Sequence, residues 1–132
     1  MTTVFTQGCF DGLHAGHLLH LRKCRKQGDS LIVGLNDDAY CRRKSDSRPF
    51  HGAENRAASL FDTGLVNGVI IFAGETPLPL ILRLKPEVIC VGGLLDRQFL
   101  LDASRCDWKP RLFCTGPRTP GLSTTEISHG LR

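Results

Sequence analysis

Five short apolar segments recur along this chain, and none is followed directly by another. They read "TVFTQG" at 3–8, "SLIVGLN" at 30–36, "VNGVIIF" at 66–72, "EVICVGG" at 87–93 and "PRLFCTG" at 110–116. Runs of this length, rich in Val, Ile and Leu, are typical of strands covered on both faces. Helical segments separate them. One runs from about Gly16 to Gln27, with Leu18, Leu21 and Cys24 on one face and Gly28 as its stop signal. "AENRAASLFDTG" forms a second, ending near Gly64, and "ETPLPLILRLKP" a third, with Thr76 as N-cap and Pro77 in first position. "GLSTTEISHGLR" carries Ser123 and Glu126, the capping box of a final helix. Residues 37–52 read as a polar, basic loop, and 94–109 as one or two helical turns. Strand and helix alternating in this way predict an α/β domain. Its five-stranded parallel sheet would have helices on both faces and right-handed connections. Ligands of such sheets bind beyond the carboxyl ends of the strands, where strand order reverses.

The 132 residues suffice for one domain, 1–132, and are too few for two. Hydrophobic residues at 41% and charged residues at 23% are those of a globular protein, with no apolar run long enough for a membrane span. The opening "MTTVFTQG" lacks a signal-peptide pattern, so a cytoplasmic protein is expected. A net charge of +4 suits an anionic small substrate. The basic residues are scattered apart from "CRRKSDSRP" at 41–49, and one Trp and one Tyr offer little base stacking, so nucleic acid is not the expected partner. Six cysteines occur with no C-x-x-C pair, which argues against a zinc or redox motif and predicts free thiols, several of them buried in strands.

The chemistry-bearing stretch is "GCFDGLHAGHLLHLRKCRKQGD", Gly8 to Asp29. Gly8, Gly12 and Gly16 let the backbone of the turn after the first strand approach a ligand. His14 lies in that turn and His17 near the start of the following helix, where free N–H groups and the helix dipole favour phosphate. His20, one turn further, is assigned to packing or solvent, and its removal is expected to cost little. Three histidines at this spacing diverge on a helix, and no carboxylate or cysteine completes a metal set, so no metal site is expected. Asn36, Asp37 and Asp38 end the second strand on the same sheet edge, as contacts for ribose or a magnesium water or as ordinary turn formers.

The stretch resembles the cytidylyltransferase-like family of nucleotidyltransferases, whose signature is H-x-G-H after a strand ending in G-x-F-D. Here the motif reads Gly8, Cys9, Phe10, Asp11, then His14, Ala15, Gly16, His17. "KSDSRPF" at 44–50 resembles the family's lysine and R-P loop. "ENRAASL" at 54–60 resembles its arginine-bearing helix start, and "RTPGLSTTEI" at 118–127 its R-T-x-G-x-S-T-T segment. The resemblance implies a Rossmann-like domain that transfers a nucleoside monophosphate from CTP or ATP to a small phosphorylated acceptor, with Mg2+, releasing pyrophosphate. By that resemblance His14 and His17 would hold the triphosphate and stabilise charge at the α-phosphate. Lys44 would neutralise phosphate, and Arg56 would do the same or brace the site. Arg118, Ser123 and Thr124 would meet the nucleotide, and Asp11 would order the loop or a magnesium-bound phosphate. Gly8, Cys9, Phe10, Gly16 and Gly92 would line the nucleotide. A homodimer is also implied, with the apolar helices around 54–61 or 77–84 as candidate interfaces.

Two branches of the family share the match. "RTPGLSTT" resembles the glycerol-3-phosphate, ethanolamine-phosphate and choline-phosphate cytidylyltransferases. "LIVGLNDDA", "KSDSRP" and "ETPLPLILRLKPEVICVGG" resemble the adenylyltransferase domain of ADP-heptose synthases. In "VGGLLDRQF", Gly92 stands where the family carries lysine or methionine, and Leu94 and Leu95 replace polar residues. That departure allows a different phosphorylated or phosphonate acceptor for the transferase. Two rivals come from other classes. One is a non-catalytic nucleotide-binding module with an altered acceptor pocket. The other is a nucleic-acid or tRNA-directed enzyme, disfavoured by the short chain and by the R-T-x-G-x-S-T-T ending.

Overall fold

A computed structural model describes residues 1–44, 49–74, 76–92 and 103–115, with Lys44 described by its backbone alone. The elements in chain order are β1 (Thr3–Gly8), α1 (Ala15–Arg25), β2 (Ser30–Asn36), α2 (Asp38–Lys44), α3 (Ala53–Asp62), β3 (Gly68–Phe72), α4 (Leu78–Leu84), β4 (Val88–Val91) and β5 (Arg111–Cys114). All strand pairs are parallel, in the order β3-β2-β1-β4-β5. The register of β1 on β2 runs from Thr3 opposite Ser30 to Gly8 opposite Leu35, and β4 lies on its other side with Val88 opposite Val4. The chain therefore steps outward from β1 to β3 and returns to the far side of β1. The reversal falls between β1 and β4, where such sheets open a crevice at their carboxyl edge. The fold is the expected Rossmann-like α/β architecture.

Period-two alternation divides the strand side chains between two cores. Val4, Leu31, Val33, Leu35, Val88 and Cys90 pack with Leu21 and Cys24 of α1 and Leu60 of α3. Phe5, Ile32, Ile89 and Val91 point to the other face and meet Leu80, Ile81 and Leu84 of α4, with Trp108 beside them. Gly34 belongs to this second face, where a Cβ would lie 2.7 Å from the Phe5 ring, so only glycine leaves room for it. No described helix is long and apolar enough to cross a membrane.

Three expectations shift. The span 37–52 is not all loop, because α2 forms there. Asp37 Oδ1 accepts the Tyr40 N–H at 2.9 Å, an N-terminal cap that the run of charged residues had obscured. The helix at 77–84 starts one residue later than expected. Pro77 is its N-cap, and the Thr76 hydroxyl accepts the Leu78 N–H. The thiols are not all free. Cys9, after β1, and Cys41, in α2, are joined as a disulfide with Cα atoms 6.2 Å apart. Spacing in sequence could not reveal this pair, because α2 and the β1 turn meet only in the fold. Cys24, Cys90, Cys106 and Cys114 are buried and take no part in a disulfide, as expected. The final helix and most of 94–109 lie outside the described residues.

Denatured, unreduced protein should therefore titrate with four thiols, and with six after reduction. Closing a loop of 32 residues should make the oxidised form more stable by about 3–4 kcal/mol on the chain-entropy estimate. Six thiols before reduction would exclude the cross-link.

Candidate functional site

The turn leaving β1 is shaped by left-handed backbone at Phe10, φ 47°, and Gly12, φ 71°. This conformation is unusual for a side chain as large as phenylalanine. Burial of the Phe10 ring holds it there. The helix that follows begins with an uncommon cap. His14 is the N-cap of α1, and its Nδ1 accepts the Gly16 N–H at 3.0 Å. His17 reaches back, and its Nδ1 accepts the His14 N–H at 3.4 Å. The two rings stack with centroids 3.9 Å apart. This is a reciprocal capping box in which imidazoles replace the usual hydroxyl and carboxylate. Gly16 is required by it, since a Cβ there would sit 2.9 Å from the His14 ring.

The cap has a chemical consequence. A neutral imidazole whose Nδ1 accepts a hydrogen bond carries its proton on Nε2. Both His14 and His17 are thereby held as Nε2–H donors beside the N-terminus of α1. That arrangement favours anions, and phosphate oxygens above all. Both histidines line one cleft of about 620 Å³ together with Cys9, Phe10, Asp11, Gly12, Cys41 and Phe50. The cleft opens beyond the carboxyl end of β1, between the turn that leaves it and the α2 and Phe50 segments that follow β2.

Its walls are fastened by one buried arginine. Arg56 of α3 is 1% exposed. Its Nε donates to His51 O at 2.9 Å and its Nη1 to Cys9 O at 2.7 Å and Asn36 O at 3.0 Å, while Nη2 pairs with Asp38 Oδ1 at 2.6 Å. Of the two roles open to it, the geometry selects the brace, because the guanidinium is engaged by the protein itself. Asp11 is similar. Its carboxylate accepts the N–H groups of Phe50 at 2.7 Å and His51 at 3.1 Å, which orders that segment against the β1 turn.

The acidic edge after β2 is likewise occupied by the fold. Asn36 is buried and donates to Gln7 Oε1, Asp37 caps α2, and Asp38 meets Arg56. Gly8 makes room for the Phe10 ring, 3.0 Å from where its Cβ would be. Gly92 follows β4 and faces the His20 ring. Lys44 closes α2. The side chains of Lys44, Arg118, Ser123 and Thr124 lie outside the described residues. Among the described residues no group of three or more His, Cys, Asp or Glu side chains could hold a metal ion.

Two features of the site had no signal in the sequence. Phe50, 65% exposed, lies at the cleft, placed there by its N–H bond to Asp11. His20 sits in a part-buried polar cluster with Thr6 and Thr115. Burial first, then the positive charge of His17 once it is protonated and that of Lys23, lower its pKa to about 4. Cys24 beside it is held as a thiol, its pKa raised by its bond to Cys90 and by burial.

The family is shown by comparison. The family model described as Cytidylyltransferase-like matches residues 5–130, and the chain belongs to that family. It is 49% identical over 91 residues to the Bifunctional protein HldE of Campylobacter concisus, and 48% identical over the same length to that of Pseudomonas aeruginosa. Each match covers 68% of this chain and 19% of the relative, so the chain spans about a fifth of the curated relatives' length. A lipopolysaccharide core biosynthesis protein from Thermoplasma volcanium superposes with a TM-score of 0.77 at 22% identity, over 90% of this chain and 99% of that one. A pantoate-beta-alanine ligase from Francisella tularensis, complexed with beta-gamma ATP and beta-alanine, gives 0.63 at 12% identity, over 96% of this chain and 64% of that one. At these identities the two structures support the fold.

Two outcomes follow for stability. Arg56→Met should lower it by about 3–5 kcal/mol, since buried carbonyl groups left without a donor cost about 1–3 kcal/mol each. Arg56→Lys should recover little, because one ammonium cannot reproduce a planar fork of donors. Urea unfolding reads both, and an unchanged midpoint in Arg56→Met would contradict the brace. For pH, the folded state keeps His20 neutral down to about 4, while the unfolded chain protonates it near the ordinary 6.5. The unfolded state then binds the extra proton, so stability falls as pH drops through that window and is unaffected above it. His20→Gln should flatten this part of the melting-temperature profile. An equally steep profile would assign the slope to another group.

Proposed function

We propose that this chain is a nucleotidyltransferase, moving a nucleoside monophosphate from a triphosphate to a phosphorylated sugar and releasing pyrophosphate. Identity of 48–51% to HldE proteins favours ATP over CTP and a sugar phosphate over a polyol phosphate or phosphonate. The carrying observation is the histidine cap. Two Nε2–H donors with fixed tautomers stand at one helix start, in a chain whose family matches over 5–130.

In this reading an acceptor phosphate oxygen attacks the α-phosphorus. The new P–O bond forms as the bond to the β-phosphate oxygen breaks, and the electron pair leaves with pyrophosphate. Negative charge rises on the α-phosphate oxygens, where His14 and His17 would donate. Preorganised donors of this kind supply most of the catalysis in such transfers. Lys44, Arg118, Ser123 and Thr124 keep their proposed triphosphate roles from the family resemblance. Mg2+ would enter with the triphosphate, since both oxygens of Asp11 already accept backbone N–H groups.

The test measures pyrophosphate from ATP and from CTP, each with sugar 1-phosphates including heptose 1-phosphate, polyol phosphates and phosphonates. Release is expected with ATP and a sugar 1-phosphate. His17→Ala should reduce turnover by at least ~10²–10³, the usual effect of removing one charge-stabilising donor. Triphosphate binding without release from any pair would support the non-catalytic module instead.

A further inference from the structure

The buried side of α1 carries a polar group that the transfer reading does not use. His20 Nε2 lies 3.0 Å from Thr6 Oγ1, and Thr6 gives its only hydroxyl proton to Cys90 O at 3.0 Å. Thr6 must then accept from His20, which puts the imidazole proton on Nε2. Nδ1 remains as the acceptor for the Thr115 hydroxyl, whose single proton lies nearer this nitrogen than its other acceptor, Val91 O at 3.3 Å. One ring thus links α1 to β1 and, through Thr6, to β4, and also to the residue that follows β5. Lys23 adds a bond from its Nζ to Thr115 O at 3.3 Å. The same ring stacks with the buried Phe10 ring, centroids 6.3 Å apart at 27°, and Phe10 meets His17 edge-on at 5.5 Å.

We propose that His20 is a positioning residue whose two hydrogen bonds, to Thr6 and Thr115, set the orientation of His17 through the Phe10 ring. Its catalytic consequence rests on the nucleotidyl-transfer reading, but its effect on His17 does not. Opposed bonds on the two ring nitrogens admit one ring orientation, whereas an apolar side chain would be held by packing alone. The elements joined are those that meet at the strand-order reversal.

The test uses the full chain and three variants. His20→Phe keeps a ring against Phe10 and removes both bonds. Thr115→Val removes one bond at nearly constant volume and stands in if His20→Phe fails to fold. His20→Gln offers an amide donor and acceptor to the same two hydroxyls. Nitrogen NMR of the histidine side chains should show the Nε2–H form at His20. The His17 ring signals should move in His20→Phe and Thr115→Val and return towards wild type in His20→Gln. In pyrophosphate release, kcat should fall about 10–100-fold in the first two variants, the scale of small misplacements of a catalytic group. KM for the triphosphate should change little, and the double variant should be no worse than either single one. Unmoved His17 signals, or full kcat in folded variants of lowered melting temperature, would overturn the proposal. A wild type without turnover would defeat the transfer reading, while the His17 signals would still decide the positioning role.

Discussion

The guanidinium of Arg56 is the contact on which the site depends. Parallel strands end by presenting carbonyl groups that no neighbouring strand satisfies, and a buried carbonyl needs a donor. Here such groups converge from the β1 turn at Cys9, from the end of β2 at Asn36 and from His51 ahead of α3. A planar fork of donors can satisfy all of them at once, which a single ammonium cannot. The cost of burying the charge is offset by Asp38 and by the carbonyl dipoles. The turn that carries the histidine motif is therefore held by α3 through Cys9 O.

Local folding and chemistry share atoms in that turn. In an ordinary capping box the side chain's work ends with its backbone hydrogen bond. An imidazole has a second nitrogen. When His14 and His17 close the first turn of α1 through Nδ1, each is left with a donor of fixed tautomer. Folding α1 thus prepares two donors, with no added cost of ordering them when a ligand arrives. The disulfide between Cys9 and Cys41 and the Asp11 bonds to Phe50 and His51 hold the same turn from two further directions.

Beneath the turn the core is unexpectedly polar. Thr6, His20, Cys24, Cys90 and Thr115 occupy positions where apolar side chains would pack. Burial keeps His20 uncharged, and the bond to Cys90 together with burial keeps Cys24 a thiol, so the cluster works through hydrogen-bond direction and not through charge. Directional bonds specify ring orientation in a way that close packing of aliphatic groups does not.

The sequence alone determined the architecture and pointed to the turn that carries the candidate site. Five apolar runs separated by helical segments leave little besides a parallel sheet, and G-C-F-D followed by H-A-G-H marks the turn after its first strand. Both are local patterns, governed by side-chain periodicity and by turn chemistry. The tertiary structure decided what individual residues do. Arg56, Asp11 and Asp38 have the same charge whether they meet a ligand or the protein, and only their neighbours across the fold separate the two. Cys41 found Cys9, and His20 found Thr115, 95 positions away in sequence. Such partners are brought together by strand order, and strand order is not written in any single stretch of the chain.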